Sequence, residues 1–547
     1  MAILALLLKL ALAPAAVVFL TLTINTIRGV IAHRVKHRAF RSVRGPARTS
    51  LAAGNLQELY GPDGLPFYES LSSYGGVAKV HGLFGDVFLS ITDPRALAHL
   101  LVQDANNFPA ADVSGPLHMH RYLTGPGLLA TNGAVHRRQR KLLNPVFSPG
   151  QIKRLAPLMR DISRQLRDLL VEDVTRSTQE SASSGEIDLA NWFGRVGLEM
   201  ISQAGFGHTF HSLEGNGDDY VSAVKDVIPS LTALGPLIPP FVLSGAVSLP
   251  PRLLHIAGRS VSRVLPPLRR FMRIVDLMYE KMHTICEERK ASASLKGAHA
   301  NSEQGNIIEF LLQASGESHI SNDVLVAHST ELVLAGTETT STALCRILHM
   351  LALYPPAQVR LRNEIAQALA ASASQNGNLE YEPLMSLPYL DAVCKETLRL
   401  FAPAPYRHRR SIKESVIPFT DGTSLHVPAN TEILVNIHCL NTDEALWGPD
   451  ARKWVPERWM KSLPQGVTKI PGVWGNMLSF GGGPKSCIGF GFSLLEMKTV
   501  LVTILPVFRF SLPVQEEIEW RFGPTMTPSV KGEKSLHPRM PLRVEVL

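Results

Sequence analysis

A dense run of glycines around one cysteine restricts what the chain can form near its C-terminal end. The ten residues from Phe480 to Gly489 read Phe-Gly-Gly-Gly-Pro-Lys-Ser-Cys-Ile-Gly. Three consecutive glycines and a proline cannot belong to a helix or a central strand, so they predict a loop whose backbone approaches something flat or bulky. The apolar run 494–505 predicts a following helix, whose free amides and dipole would hold Cys487 as a thiolate. The pattern indicates a cysteine-ligated metal cofactor.

The other cysteines exclude several classes of protein. The 547-residue chain has five cysteines, an odd and widely spaced set without a Cys-x-x-Cys pair: Cys286, Cys345, Cys394, Cys439 and Cys487. This argues against a disulfide framework and favours a reducing compartment for most of the chain. Zinc ribbons and thioredoxin-type redox chemistry are excluded by the same spacing. Length alone does not distinguish one large core from several smaller ones.

The positive charge of the chain is concentrated at its N-terminus. Lys and Arg total 55 against 47 Asp and Glu, a net charge of +8. The first 57 residues lack acids and carry Lys9, Arg28, Arg34, Lys36, Arg38, Arg41, Arg44 and Arg48, which equal the whole excess. Everything from Glu58 onward is formally neutral. We therefore expect no nucleic-acid partner.

The N-terminal segment has the pattern of a membrane anchor. Eighteen uncharged, mostly apolar residues separate Lys9 from Arg28, enough to cross a bilayer with little tilt. A cleaved signal peptide is the alternative, but basic residues follow the span where small residues at a cleavage site would be expected. We predict an anchor over 1–27, a basic linker over 28–55 and one domain over 56–547. The positive-inside tendency places that domain in the cytosol.

The remaining chain has mainly helical periodicity. Short β-type runs at 77–80 and 87–91 predict a small sheet, whereas long apolar periodicities predict helices at 149–174, 324–354 and 357–371. The predicted fold is mainly α, a large helical domain with a smaller β-containing region, in addition to the transmembrane helix.

The residues 480–489, called the cysteine loop, resemble a motif of a known family. Phe480, Gly483, Lys485, Cys487 and Gly489 together resemble the haem-binding signature of the cytochrome P450 family. The resemblance implies that Cys487 is the axial ligand of a haem b iron, and that Phe480, Lys485 and Gly489 belong to the cofactor site. The family usually has arginine in place of Lys485 and alanine where Ser493 stands. Lysine keeps the positive charge but loses the bidentate fork.

Two further segments match family elements with a structural role. Glu396 and Arg399 lie three apart, on one face of a predicted helix, where they can pair. The segment Trp-Val-Pro-Glu-Arg-Trp, which contains Arg458, is similar to the family's Pro-Glu-Arg-aromatic element. The resemblance implies that Glu396, Arg399 and Arg458 form a buried charge network that supports the cysteine loop.

A polar interruption lies within the predicted helix 324–354. The residues Ala-Gly-Thr-Glu-Thr-Thr at 335–340 weaken a helix locally, because hydroxyls can bond to carbonyls four residues earlier. From the residues alone, a polar stripe facing water is the alternative to a buried acid suited to proton delivery. The resemblance implies that Thr339 and Glu338 are catalytic and deliver protons during oxygen activation.

A basic helix supplies a further family element. His136 and Arg140 lie four residues apart, on one helical face, as in the family element that contacts haem propionates. Arg409, ten residues after Arg399, is a further propionate partner by resemblance, and Arg410 is its alternative. Basic helical clusters are more commonly solvated, so the cofactor role depends on the order of all the motifs along the chain.

The resemblance implies a membrane-bound monooxygenase of the eukaryotic, fungal type. It would insert one oxygen atom from O2 into a lipophilic substrate, by hydroxylation or epoxidation, in terpenoid or other specialised metabolism. Electrons would come from NADPH through cytochrome P450 reductase, with cytochrome b5 as a second donor, because the chain lacks a Gly-x-Gly-x-x-Gly fingerprint. We expect a single-pass protein of the endoplasmic reticulum.

Several alternatives remain open at this stage. An isomerase or dehydratase of the same fold would act without O2 and reductase, and a haem sensor would not be catalytic. Basic residues Arg137, Arg138, Lys485 and Lys498 are predicted to face the acidic reductase. By resemblance, the substrate pocket is lined by the segments 116–129, 402–406 and 525–527, the proline-rich segment 228–251 and the helix before Ala335.

Overall fold

The computed structural model describes most of the chain after the N-terminal segment. The described residues are 35–61, 63–111, 118–180, 185–215, 219–237, 241, 249, 251–296, 306–314, 321–372 and 379–547. Within these ranges no helix is both long and apolar enough to cross a membrane. The predicted anchor over 1–27 lies outside the described residues.

Helices dominate the domain, as predicted. The main α-helices are α1 (Leu56–Tyr60), α2 (Leu65–Ser70), α3 (Pro94–Ala98), α4 (His118–Thr124), α5 (Gly133–Leu143), α6 (Pro149–Glu180), α7 (Leu189–Phe206), α8 (Asp219–Ala233), α9 (Pro251–Ser262), α10 (Pro266–Lys296), α11 (Ile307–Ala314), α12 (Asn322–Leu353), α13 (Pro355–Ala371), α14 (Tyr381–Ser386), α15 (Pro388–Leu400), α16 (Ile437–Asn441), α17 (Glu444–Trp447) and α18 (Phe490–Ile504). The predicted helices at 149–174, 324–354, 357–371 and 494–505 correspond to α6, α12, α13 and α18. Prolines at the first turn of α13 and α15 fix where these helices begin.

The strands of the described ranges form four small sheets. They are β1 (Val77–His81), β2 (Val87–Ile91), β3 (Ala110–Ala111), β4 (Glu186–Asp188), β5 (Tyr406–Arg410), β6 (Ser415–Pro418), β7 (Ser424–Val427), β8 (Glu432–Asn436), β9 (Phe508–Ser511), β10 (Ile518–Arg521), β11 (Thr527–Val530) and β12 (Pro541–Val546). The largest sheet has the order β1-β2-β8-β5-β3, in which β2 and β8 are parallel and the other pairs antiparallel. β4, β12 and β9 form a second sheet, and β10–β11 and β6–β7 are hairpins.

Helix α12 forms the centre of the helical core. It packs most extensively against α7, and it also contacts α15 and α18. Gly336 permits this closeness, because a Cβ there would lie 3.2 Å from the Ile201 side chain of α7. The helix that begins at the cysteine loop and the helix that carries the polar interruption are therefore direct neighbours.

Part of the predicted basic linker packs on the sheet. Phe40 is fully buried in the core beside β2 and β8, and the Lys79 amide donates to the Arg44 carbonyl at 2.8 Å. Lys36 pairs with Asp86 at 2.8 Å. Packing of the described chain thus begins before residue 56, within the segment predicted as a linker over 28–55.

Candidate functional site

The cysteine loop owes its shape to glycines that approach neighbouring backbone. Gly483 has a φ of +67°, and a Cβ on it would lie 1.8 Å from the Leu101 carbonyl oxygen. A side chain at this position would therefore clash as well as strain the backbone. The loop closes through a hydrogen bond of 2.8 Å from the Cys487 amide to the Phe480 carbonyl. The Phe480 ring packs edge-on against Trp474, with 5.4 Å between centroids.

Cys487 faces an enclosed cleft. Its side chain is exposed, whereas the other four cysteines are buried. Protein atoms nevertheless surround the thiol, and this burial raises its pKa, against the lowering effects of the Gly489 amide and the charges of Arg140 and Arg407. The expectation that helix amides hold a free thiolate here is therefore wrong for the unligated thiol, because desolvation dominates. A coordinated metal ion would deprotonate it.

The polar interruption of α12 exposes a turn in the middle of a buried helix. Ala335 is exposed, although Val333 and Thr337 on neighbouring turns are buried. The Thr339 hydroxyl donates to the Ala335 carbonyl at 2.7 Å, the back-bonding predicted from the sequence. Burial raises the pKa of Glu338 to about 7, and its Oε1 accepts no hydrogen bond from the described residues. A protonatable acid and a hydroxyl thus occupy consecutive positions of this turn.

Basic side chains from three elements converge near the cysteine loop. Arg140 of α5 donates to the Ser486 carbonyl at 2.7 Å, directly beside Cys487. Burial, together with the charges of Lys485, Arg140, Arg137 and Arg409, lowers the pKa of His136 to about 4. His136 is therefore neutral at pH 7. The predicted residues His136, Arg140, Arg409 and Lys485 are thus brought together.

Arg409 is a buried cation without an acidic partner in the described part of the chain. It is 7% exposed and donates to the His408 carbonyl at 2.9 Å. Burial and the charge of Arg407 lower its pKa to about 10. Arg410, the alternative, lies on the opposite face of β5 and pairs with Glu432 at 3.4 Å. The structure therefore favours Arg409 over Arg410.

Lys485 bonds to backbone rather than facing outward. Its Nζ donates to the Thr131 carbonyl at 2.5 Å and reaches the Leu128 carbonyl at 3.5 Å. Burial, with Arg409 and Arg140, lowers its pKa to about 7, against the raising effect of Glu331. Glu331 of α12 accepts the Leu129 amide at 3.0 Å. Lys485 and Glu331 thus hold the loop before α5 from two sides.

Two of the four basic residues predicted to face the reductase do not do so. Lys485 points into the interior, as described above. Lys498 is 1% exposed and pairs with Asp391 at 2.8 Å, so that prediction is wrong. The reason is that α18 is packed on all sides, and a charge within such a helix must find a buried partner. Arg137 and Arg138 of α5 are exposed.

Sequence reasoning missed Arg407. Successive side chains of a strand alternate between the two faces, so Arg407 and Arg409 share one face of β5. Arg407 is exposed in the cleft, and its charge acts on the Cys487 thiol. It belongs to no family motif. Its spacing of two residues from Arg409 was the signal that could have identified it, had a strand been predicted there.

The predicted charge network is present and fully buried at its centre. Arg399 donates to both Glu396 oxygens at 2.8 and 2.9 Å, and both residues are 0% exposed. Arg458 reaches Glu396 at 3.3 Å and Asp450 at 2.8 Å. The remaining Arg399 nitrogen donates to the Asn441 and Ala451 carbonyls.

The network reaches the cysteine loop through a short chain of hydrogen bonds. The Asn441 side chain accepts the Leu478 amide at 3.2 Å and donates to the Ser479 hydroxyl at 3.0 Å. Ser479 in turn donates to the Leu398 carbonyl at 2.6 Å. The position of residues 478–479, where the loop begins, is thus fixed by the helix that carries Glu396 and Arg399.

Comparison with known proteins identifies the family. The family model for cytochrome P450 matches residues 54–533. The chain belongs to the cytochrome P450 family. A cytochrome P450 monooxygenase from Postia placenta is 35% identical over 543 residues, covering 95% of this chain and 96% of the relative. A ganoderic acid synthetase from Ganoderma lucidum is 35% identical over 516 residues, covering 90% and 92%. A cytochrome P450 monooxygenase from Hericium erinaceus is 32% identical over 539 residues, covering 92% and 93%.

These matches confirm the predicted family and its fungal character. Membership in the cytochrome P450 family implies an enzyme that uses haem with a cysteine thiolate ligand. The residues of this cytochrome P450 fit that group on two observations. Cys487 faces a cleft, and the charges of Arg140 and Arg407 act on its thiol. These two arginines and the buried Arg409 form no ion pair with a carboxylate of the described chain. Unmatched buried cations suit the two propionates of a haem.

Proposed function

We propose that this cytochrome P450 hydroxylates or epoxidises a lipophilic substrate, with Cys487 as the axial ligand of its haem. When bound, the haem supplies the oxidising chemistry, in which one atom of O2 enters the substrate and the other becomes water. The haem propionates would be bound by Arg140, Arg409, Lys485 and the neutral His136. Phe480 and Gly489 would shape the thiolate side, because the Phe480 carbonyl closes the loop and the Gly489 amide bonds the sulfur.

The observation that carries the oxygenase proposal is the acid and hydroxyl in the exposed turn of α12. Glu338 has a pKa of about 7, raised by burial, so it can hold or release a proton at physiological pH. Thr339 is adjacent, and its hydroxyl lies 2.7 Å from the Ala335 carbonyl. Glu338 can supply a proton at this turn, and the Thr339 hydroxyl can hydrogen-bond a group bound beside it. An isomerase, a dehydratase or a haem sensor would not need this pair.

Specialised metabolism is the proposed setting. The relative from Ganoderma lucidum is named a ganoderic acid synthetase, which supports specialised metabolism. A terpenoid or another lipophilic natural product is the proposed substrate. We infer a single N-terminal anchor in the endoplasmic reticulum, with the domain in the cytosol, from the apolar span and the basic residues that follow it. Electrons would come from NADPH through a separate reductase, with cytochrome b5 as a second donor. The exposed Arg137 and Arg138 suit an acidic partner.

The proposal is tested by co-expression with a fungal NADPH-cytochrome P450 reductase. Cells supplied with a panel of terpenoids and fatty acids under 18O2 should form products that gain one labelled oxygen atom. Product formation without O2 and NADPH would instead establish the isomerase or dehydratase. Haem binding without turnover of any substrate would favour the sensor.

The ligand assignment has its own test. The reduced protein should give the carbon monoxide difference spectrum of a thiolate-ligated haem, and Cys487→Ala should abolish it. Cys439→Ala removes a buried thiol elsewhere and is the matched control. An unchanged spectrum in Cys487→Ala would refute the assignment.

A further inference from the structure

Glu331 is a buried carboxylate that bonds the loop 125–132, which joins α4 to α5. The residue lies on α12, one turn before the exposed Ala335, and is only 3% exposed. Its Oε1 accepts the Leu129 amide at 3.0 Å and the Thr124 hydroxyl at 3.2 Å. Its Oε2 accepts no hydrogen bond from the described residues. One carboxylate oxygen thus attaches the loop to α12, and the other lacks a donor.

The loop lies directly on this carboxylate. A Cβ on Gly127 would collide with the carboxyl group of Glu331, so no side chain fits at this position. Near its other end the loop is bonded to the cysteine loop, because Lys485 donates to the carbonyls of Leu128 and Thr131. The loop therefore bridges the elements that carry the polar turn and the thiol, and it borders the cleft.

A second partner for the carboxylate lies beside it on α12. His328 is 2% exposed, and its Nδ1 lies 3.9 Å from Oε2 of Glu331, too far for a hydrogen bond. This Nδ1 has no hydrogen-bond partner among the described residues. Residues three apart on a helix are neighbours, so a small rotation of the Glu331 side chain closes the gap. The carboxylate can therefore bond either the loop or the imidazole.

The second partner makes the attachment of the loop reversible. A buried carboxylate that lost its donors without replacement would bear the full cost of desolvation. His328 can supply a replacement donor when the loop lifts, and this lowers the cost of lifting it. An element with two bonded arrangements can change between them, whereas a single arrangement would fix the loop.

We propose that Glu331 is a positioning residue that holds the loop 125–132 over the cleft and admits bulky ligands by exchanging its bond to His328. The proposal rests on the proposed function and deepens it, because it assigns the residues that control access to the site. Glu331 acts through the loop in this role. Weaker attachment should therefore speed the entry of large molecules and leave small ones unaffected.

Hydrogen–deuterium exchange of the haem-loaded full chain measures how firmly the loop is attached. Glu331→Gln keeps the shape but removes the charge, so the amides of 125–132 should exchange about tenfold faster. His328→Phe keeps a buried ring but removes the alternative partner, so the same amides should exchange about threefold more slowly. A general loss of stability would not give opposite changes from two positions of one helix.

Glu364→Gln is the matched control. Glu364 of α13 accepts the backbone amides of Tyr389 and Leu390 at 2.7 and 2.8 Å, at the start of α15. Its substitution should speed exchange at those amides and leave 125–132 unchanged. Gly127→Ala is a second way to lift the loop, because its methyl group would collide with the Glu331 carboxyl group. It should also speed exchange at 125–132, and it carries the test if Glu331→Gln does not fold.

Entry is measured with two azoles of different size, imidazole and clotrimazole, whose binding to the haem iron changes its spectrum. Stopped-flow association of clotrimazole should be about tenfold faster in Glu331→Gln and about threefold slower in His328→Phe. Association of imidazole should change by less than about twofold in both variants. Haem content is measured for each variant by the pyridine haemochrome assay.

Two results would overturn the proposal. One is unchanged exchange at 125–132 in both Glu331→Gln and Gly127→Ala. The other is a change of the same sign in Glu331→Gln and His328→Phe, which would show that His328 is not the alternative partner. Failure of the monooxygenase function is detected separately, as absent incorporation of 18O in a protein that binds both azoles.

Discussion

The charges around Glu396 and the charges around Cys487 belong to the same domain. They differ in whether the cations are paired with a carboxylate. In the Glu396 network, two arginines meet one fully buried carboxylate, and the spare nitrogens donate to carbonyls. Beside Cys487, Arg409 and Arg407 share a face with no carboxylate paired to them in the described chain. Buried charge without a partner is costly in a folded protein. The first arrangement supports structure, whereas the second is prepared for ligands that bring the missing negative charge.

The largest effect is expected from breaking the matched network. Glu396→Gln would leave Arg399 and Arg458 without their shared carboxylate, and losing one member of a buried pair costs about 3–5 kcal/mol of unfolding free energy. Denaturant unfolding followed by tryptophan fluorescence measures this loss. Glu457→Gln is the control, because Glu457 pairs with Arg360 at the surface, where such pairs contribute up to about 1 kcal/mol. Similar losses in both variants would contradict the distinction.

The opposite result, no loss of stability, is expected for Arg409, which has no acidic partner in the described chain. Arg409→Gln removes a buried cation without an acidic partner, so the haem-free protein should lose no stability from the missing charge. Haem affinity should fall about tenfold, because a charge-assisted hydrogen bond contributes roughly 1.5–3 kcal/mol. Transfer of haem to apomyoglobin gives the affinity. Arg410→Gln on the other face of β5 should leave haem affinity unchanged. If the two variants transfer haem equally, Arg409 is not a propionate partner.

Glu338 should make the stability of the protein depend on pH. Its pKa is raised by burial from 4.5 to about 7, so the folded protein binds this proton more tightly than the unfolded chain. The free energy of unfolding is therefore highest below about pH 4.5, where Glu338 is protonated in both states. It falls as the pH rises through about 7. Glu338→Gln should remove this dependence and make the protein more stable well above pH 7, by about 3 kcal/mol.

The same substitution should lower turnover about ten- to hundredfold, because a positioned proton donor is lost. The unaltered enzyme should also lose activity above about pH 7, where Glu338 is ionised. Steady-state rates and unfolding curves between pH 5 and pH 9 measure both effects. Asp323→Asn, at an exposed position in the first turn of the same helix, is the control. A pH profile that is identical in Glu338→Gln and the unaltered protein would exclude this role.

The difference between matched and unmatched charge also explains which predictions from sequence succeeded. Glu396, Arg399 and Arg458 could be placed because their spacing in two segments is specific and their chemistry requires them to meet. Lys498 was misplaced, because its charge suggested exposure although it lies in the apolar run of α18, where it pairs with Asp391. Arg407 was missed because no motif contains it. Only the alternation of β5 and the apolar Val435 opposite Arg407 on β8 reveal the residue, and both are properties of strand pairing.

The glycines of the cysteine loop show a similar limit. Their run predicted a loop in close contact with a neighbour, and this is correct. The neighbour at Gly483 is the Leu101 carbonyl, nearly four hundred residues earlier in the chain. Ser493, a departure from the family, donates to the Phe490 carbonyl within α18 and is accommodated locally. Contacts distant in sequence decide such details, and local patterns do not contain them.

The smallest effect is expected from exposed charge, which is neither buried nor matched. Arg138 of α5 is exposed, and α5 joins the cysteine loop through the bond from Arg140 to Ser486. Arg138→Glu should slow electron transfer from the reductase about three- to tenfold at low ionic strength, because it places repulsion on the proposed docking face. The effect should disappear at high salt, where surface charges are screened.

Stopped-flow reduction under carbon monoxide measures the rate, with Arg543→Glu on β12 as the control. Unfolding free energy should change by less than about 0.5 kcal/mol in both variants. If Arg138→Glu is reduced as fast as Arg543→Glu at low salt, the reductase docks on another face, and the exposed charges of α5 are merely solvated.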